Sequence, residues 1–480
     1  MKRRIVILGA GVCGLAAAWR LLEKDPSLDV TLLEAGEEPG GLARSLVVGD
    51  HIADLGPHRI FTELPDVQEF LEQLAGPNLE TVKRASRMWL RGGWIEYPPR
   101  PAEVMQHLGI TTLAGAGASF VLNKASEVFG LTGRERESFE SLMKSAFGPQ
   151  LYELLVAPYA RKVWKMPPRE IHADIARVRV SAGGLDQMVK KLFIPEKPGA
   201  LTAVKKFYYI AGGVVQLVNK MRTGVEARGG RILLARSVNG LQVNGTTTVR
   251  VMNRDTGVEE SYEADDVIST IPLPDLLEML FRNAGNAPSP AVARARGELR
   301  YIANFLVAFV VKKSHVTDSQ WLYFPGADTV FNRAYLPANF HSSMGSGNET
   351  LVVFEVTCHH GDKIWKGSDR ALVAATLRGA ERVGLFAKDD VRTSLVHRIP
   401  HTYPIYDLGY RQRLNEIRKY LENFPRLINS GRQGLFLHNN MDHSIHMGFR
   451  SADVALGDAP NPAREFYREI RKFQQFRIVD

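Results

Sequence analysis

An α/β fold, with a buried parallel sheet assembled from separated pieces of chain, is what this 480-residue sequence predicts. Three stretches carry that expectation. A glycine turn joins an apolar run to a helical pattern at the N-terminus, "IVILGAGVCGLAAAWRLLEK". A Gly-Gly turn opens a second helix–strand unit, "AGGVVQLVNKMRTGVEARGGRILLA". Near the C-terminus, "GRQGLFLHNNMDHSIHMGF" gathers glycines, asparagines and an acid ahead of another helix.

The N-terminal unit is the most informative. Ile5 to Leu8 is continuously apolar, as a parallel strand covered on both faces must be. Gly9, Gly11 and Gly14 follow in GxGxxG spacing, then a helix through Ala16, Leu21 and Leu22. A second apolar run, Val30 to Leu33, ends at Glu34, 20 residues after Gly14. In a dinucleotide-binding unit the first glycine allows the tight turn and the second lets backbone approach a pyrophosphate. The third permits close helix–strand packing, and the acid accepts from a ribose hydroxyl. The helix N-terminus offers free N–H groups and a positive dipole to the phosphates. Cys13, inside the turn, reads as a small packing residue.

Residues 62–205 read as a mainly helical insertion, with "FESLMKSAFGPQLYELLVAPYARKVW" as its clearest amphipathic run. Within it, Leu108 to Leu122 is apolar but too short to span a bilayer, which predicts a buried helix. Over 206–274 the pattern predicts a helix from Val214 to about Glu226 and a strand from Ile232 to Leu234. A hairpin and a buried strand, Val267 to Ile271, stopped by Pro272, come next. Strand-like runs such as "NFLVAFVVKK" and "ETLVVFEVTC" mark a second sheet over 275–400. Residues 401–460 return to the first unit, and 461–480 form a basic terminal helix carrying Arg464, Arg468, Arg471 and Lys472. That helix reads as a solvated face, with peripheral membrane contact as the alternative.

Two cysteines, Cys13 and Cys358, exclude a disulfide framework and suit a reducing, cytoplasmic setting. The net charge of +9 fits nucleic acid, a membrane surface or a phosphorylated small substrate alike. No stripe of basic residues interleaved with aromatics supports nucleic acid. His438, His443 and His446 lack a zinc spacing, so no metal is expected.

After Glu34, "AGEEPGGLARS" holds Gly40-Gly41 and Arg44. This resembles the second glycine pair of the FAD-binding family that includes amine oxidases, protoporphyrinogen oxidase and UDP-galactopyranose mutase. FAD is the cofactor implied, with NAD(P)H allowed as an external reductant. The fold expected is then a discontinuous Rossmann-type FAD-binding domain (1–61, 206–274 and 401–460) with a helical lid and a second, substrate-binding α+β sheet domain.

Further blocks resemble UDP-galactopyranose mutases in the same order. "GPHRIF" places His58 beside the flavin, and "YARKVW" places Tyr159 and Trp164 in the nucleotide pocket. "YPIYDLGY" places Tyr403 by the diphosphate. Gly431, Arg432, Asn440, Met441 and Asp442 fall on the block whose backbone faces the flavin ring. The chain departs from the mutases at His438, Asn440 and Ile302, where they carry tyrosine, aspartate and a diphosphate-gripping arginine. Arg177, Arg179, Arg300 or His438 supply replacement charge, and UDP-galactose itself is disfavoured as substrate. The resemblance implies attack by reduced flavin N5 on the anomeric carbon of a nucleotide-linked or phosphorylated sugar, a pyranose–furanose type of isomerisation. His58, His438 and Asn440 would be its catalytic groups. The alternative is an FAD oxidase, dehydrogenase or desaturase of the protoporphyrinogen and amine oxidase type.

Overall fold

Residues 2–98, 137–179, 206–282, 287–476 and 478 are described by the computed structural model, with 103, 106, 107, 109, 112, 115 and 117–123 between the first two stretches. Strand β1 (Arg4–Leu8) turns into helix α1 (Val12–Lys24), which returns to β2 (Asp29–Leu33). Strands β3 (Ser86–Leu90) and β4 (Gly93–Glu96) precede helices α2 (Ala157–Trp164) and α3 (Asp174–Arg179). Helix α4 (Val215–Ala227) leads to β5 (Arg231–Leu233), β6 (Arg236–Asn244) and β7 (Asp266–Ser269). After α5 (Leu273–Phe281) come β8 (Tyr301–Val311), β9 (Trp321–Tyr323), β10 (Arg333–Tyr335), β11 (Thr350–His359) and β12 (Val391–Pro404). Helix α6 (Tyr410–Leu421), β13 (Leu427–Asn429), α7 (Met441–Leu456) and α8 (Pro462–Phe473) follow.

The first sheet runs β13–β7–β1–β2–β5, and every pair is parallel. Ile5, Ile7, Leu8, Val30 and Leu32 have no exposure at all, because the sheet is covered by α1 and by the three-stranded antiparallel sheet that β6 begins. Helix α7 crosses α1 at Gly448. A Cβ there would lie 2.4 Å from the Cys13 carbonyl oxygen and 2.9 Å from the Ala16 methyl. That crossing fixes the start of α7 beside the glycine turn.

The second sheet runs β12–β8–β11–β10–β9–β3–β4, with only the β9–β3 pair parallel. Two of its strands come from the insertion read as mainly helical. Met88, Leu90 and Ile95 are buried while Arg87 is exposed, a period of two, and Arg91 and Gly92 take positive φ between the strands. A two-residue turn of that kind closes a hairpin. The insertion therefore supplies sheet as well as helix.

Of the span read as a buried helix, residues 117–122 are helical, yet Val121 and Leu122 are exposed. Most of the rest of that span lies outside the described residues. Helix α8 buries Phe466, Tyr467, Ile470 and Phe473, and turns Arg464, Arg468, Arg471 and Lys472 outward. Among the described residues, no helix is long and apolar enough to cross a membrane.

Candidate functional site

A cavity of about 880 Å³ opens between the carboxyl ends of β1, β2 and β7 and the second sheet. Open α/β sheets bind their ligands at such ends. Gly9 turns at φ +95°, with room for no Cβ, since one would sit 2.6 Å from the Thr270 hydroxyl oxygen. A Cβ on Gly14 would sit 2.1 Å from the Gly9 carbonyl oxygen, so α1 packs on the turn only as glycine. Gly11 differs. A Cβ there would meet nothing nearer than the Gly41 Cα at 3.9 Å, leaving the α1 N-terminus open to the cavity without a side-chain cap. Gly40 lies alongside, its N–H donating to the Ala10 carbonyl at 2.8 Å. Backbone N–H groups arranged this way suit phosphate oxygens.

Glu34 borders the same space. Its Oε2 accepts from the Ala10 N–H and its Oε1 from the Gly36 N–H, each at 2.9 Å. The carboxylate is thereby held in place, with lone pairs left for ribose hydroxyls. Arg44 donates to the Gly41 carbonyl at 3.0 Å along the same wall.

His58 lines the cavity between the two sheets. Its Nδ1–H donates to the Gly56 carbonyl at 2.6 Å, which leaves Nε2 as an acceptor. Burial, with the charges of Arg432 and Arg333, pushes its pKa down to about 4, so the ring is neutral. Asn440 and Met441 also line the cavity at the start of α7, where the Asn440 N–H donates to His443 Nδ1 at 3.2 Å. Gly431 approaches the first turn closely; a Cβ would lie 3.0 Å from Cys13 Sγ. Arg432 serves as a fastener. Its guanidinium donates to the Thr402 carbonyl at 2.7 Å and the Asn439 carbonyl at 2.6 Å, tying this segment to β12.

On the substrate side, the main cation is one that sequence reasoning missed. Arg333 is gripped by Glu355 through two bonds of 2.9 and 2.8 Å, and Glu355 is 2% exposed. That guanidinium lines the cavity with Tyr403 and with Tyr323, its cross-strand partner, and the Tyr159 ring lies 6.1 Å from that of Tyr323. The available signal was Glu355 itself, a lone charge inside the apolar run "LVVFEVTC", which needs a buried partner.

Several expected residues stand elsewhere. Asp442 does not line the cavity; burial pushes its pKa up to about 6, and the Thr62 hydroxyl donates to it. Trp164 is 4% exposed and packs edge-on against His438 at 5.3 Å, a wall residue without an open face. His438 donates from Nε2 to the Pro404 carbonyl at 2.8 Å, and borders a separate cavity of about 410 Å³ behind the Arg432 segment. Arg177 also borders that smaller cavity, bound to Asp174 at 2.9 Å. Arg300 is 58% exposed and 4.0 Å from Asp407, away from the main cavity. The Arg179 side chain lies outside the described residues. Motif order fixes where such residues fall along the chain, but not which side of a wall each ring or charge faces.

Residues 12–455 match the family described as flavin-containing amine oxidoreductase. Coproporphyrinogen III oxidase of Staphylococcus aureus is 23% identical over 469 residues, covering 89% of this chain and 94% of that one. Human protoporphyrinogen oxidase is 24% identical over 512 residues, covering 96% and 100%. Among solved structures, reduced UDP-galactopyranose mutase superposes with a TM-score of 0.81 at 22% identity, covering 98% of this chain and 99% of that one. The open glycine cradle, the anchored Glu34 and the paired α-helix N-termini fit a flavin dinucleotide. The chain belongs to the flavin-containing amine oxidoreductase family and is an FAD-dependent enzyme.

Proposed function

We propose that this flavoenzyme acts on a nucleotide-linked or otherwise phosphorylated sugar and rearranges it at the anomeric carbon. The observation that carries the reading is Arg333, a guanidinium set among tyrosines in the cavity wall. Glu355 takes the Nε and Nη2 side of this guanidinium and fixes it, so that its remaining N–H groups are oriented for anionic oxygens, and charge-assisted contacts are the strong ones. The whole-chain likeness to the mutase supports the same reading.

In this account Gly9, Gly11, Gly14, Glu34, Gly40, Gly41 and Arg44 hold the dinucleotide, and Gly431, Asn440 and Met441 face its ring. When bound, the flavin supplies a nucleophilic centre in its reduced form or a hydride acceptor in its oxidised form. His58 keeps a neutral ring with an acceptor nitrogen, Nε2, in the cavity at neutral pH, able to accept a hydrogen bond there. Tyr159 and Tyr403 orient the sugar phosphate beside Arg333.

A second reading, net oxidation, is favoured by the porphyrinogen oxidases that align along nearly the whole chain. Dithionite-reduced, anaerobic enzyme incubated with a nucleotide-sugar panel tests the first; product is followed by chromatography. Ring isomerisation supports it. Stoichiometric oxygen uptake with coproporphyrinogen, and no isomerisation of any sugar, replaces it with the second.

A further inference from the structure

Arg84 borders the same cavity as Arg333, yet no carboxylate pairs with it among the described residues. Its Nε reaches the Ser86 hydroxyl at 3.4 Å, and its Nη1 is buried without a hydrogen-bond partner. Two rings hold the guanidinium in place, with Tyr97 at 6.0 Å and Trp321 at 5.9 Å from Cζ. The register explains the grouping. Tyr323 pairs with Arg333 and Trp321 pairs with Ser86, so Trp321, Tyr323 and Arg333 share the sheet face that borders the cavity. Arg84 stands just before β3, one strand from Trp321. Cation–π contacts position a guanidinium, but they leave its N–H groups unsatisfied. A part-buried cation without an acid is expensive unless an anion arrives to complete it.

We propose that Arg84 and Arg333 form a two-cation subsite that grips a substrate bearing at least two neighbouring negative charges. The proposal rests on the reading above only in placing the substrate at the Arg333 end. Arg84 leads into β3 of the second sheet, whereas the glycine turn expected to hold the cofactor's phosphates follows β1 of the first.

The test is calorimetric titration of FAD-loaded full-length protein with UDP, inorganic diphosphate and coproporphyrin III. Arg84→Met should weaken whichever of these binds by about tenfold or more, the loss of one charge-assisted contact. Arg84→Lys should recover part of that loss, with FAD content and flavin absorption unchanged in both. Arg84→Gln serves if the methionine variant fails to accumulate. Equal affinity in wild type and variants overturns the subsite, as does wild-type protein that binds none of the three. Loss of FAD from the Arg84 variants also overturns it, because the contact would then be to cofactor. Arg84-dependent binding of coproporphyrin III without binding of UDP keeps the subsite and overturns the sugar-phosphate reading.

Discussion

At Glu34 one carboxylate accepts from two backbone N–H groups while facing the cavity. An amide cannot repeat this, because its NH₂ must turn toward one of those donors. Glu34→Gln should therefore weaken FAD binding by about 1.5–3 kcal/mol, read as a ten- to hundredfold rise in Kd on titrating apoprotein with FAD. Asp442 and His443 share the first turn of α7 and respond to pH in opposite senses. Burial raises Asp442 from 3.8 to about 6, so its contribution is complete below 3.8 and lost as pH rises through 6. Burial lowers His443 from 6.5 to about 4, so its contribution is complete above 6.5 and lost as pH falls through 4. Asp442 Oδ1 is buried and without a partner. Asp442→Asn should raise stability at pH 7.5 by on the order of 1–3 kcal/mol and change little at pH 3.5, a sign that thermal melts at the two pH values will check.

Between elements, the α1–α7 crossing couples the two segments that face the cofactor. Gly448→Leu would drive a side chain into the Cys13 backbone, where a Cβ already has only 2.4 Å. Expected outcomes are destabilisation of about 2 kcal/mol or more and loss of bound flavin, measured by melting and by FAD content. Glu355→Ala should cost about 3–5 kcal/mol, since it leaves Arg333 uncompensated; chemical denaturation checks it. The β1–α1–β2 unit was legible because its periodicity and glycine spacing are local. Gly448 was silent: a glycine in a helical pattern does not say which helix it crosses. Arg333 was missed because its pairing with Glu355 depends on strand register across a 22-residue separation. The β3–β4 hairpin was readable in "MWLRGGWIEY", where alternation flanks a glycine turn, but the helical runs around it dominated. His438 and Trp164 fall in the blocks that suggested a substrate site, yet they pack on each other and neither lines the main cavity.

For the whole molecule, helix α8 belongs to the core on one side. Removing residues 461–480 would take Phe466, Tyr467, Ile470 and Phe473 out of the core and expose the surfaces of α7 and β13 that α8 covers. Truncated protein should aggregate, whereas Arg468→Glu with Arg471→Glu on the outer face should shift stability by no more than about 0.5 kcal/mol; soluble yield and melting separate the two. The first sheet has a further consequence for how the protein is made. Its strands begin at residue 4 and end at residue 429. On the ribosome the fingerprint emerges long before β13, the neighbour of β7, so closure of the sheet waits for all of the chain between them. Flavin capture is therefore a late event of biogenesis, and nascent chains stalled before residue 427 should carry the motif yet emerge colourless.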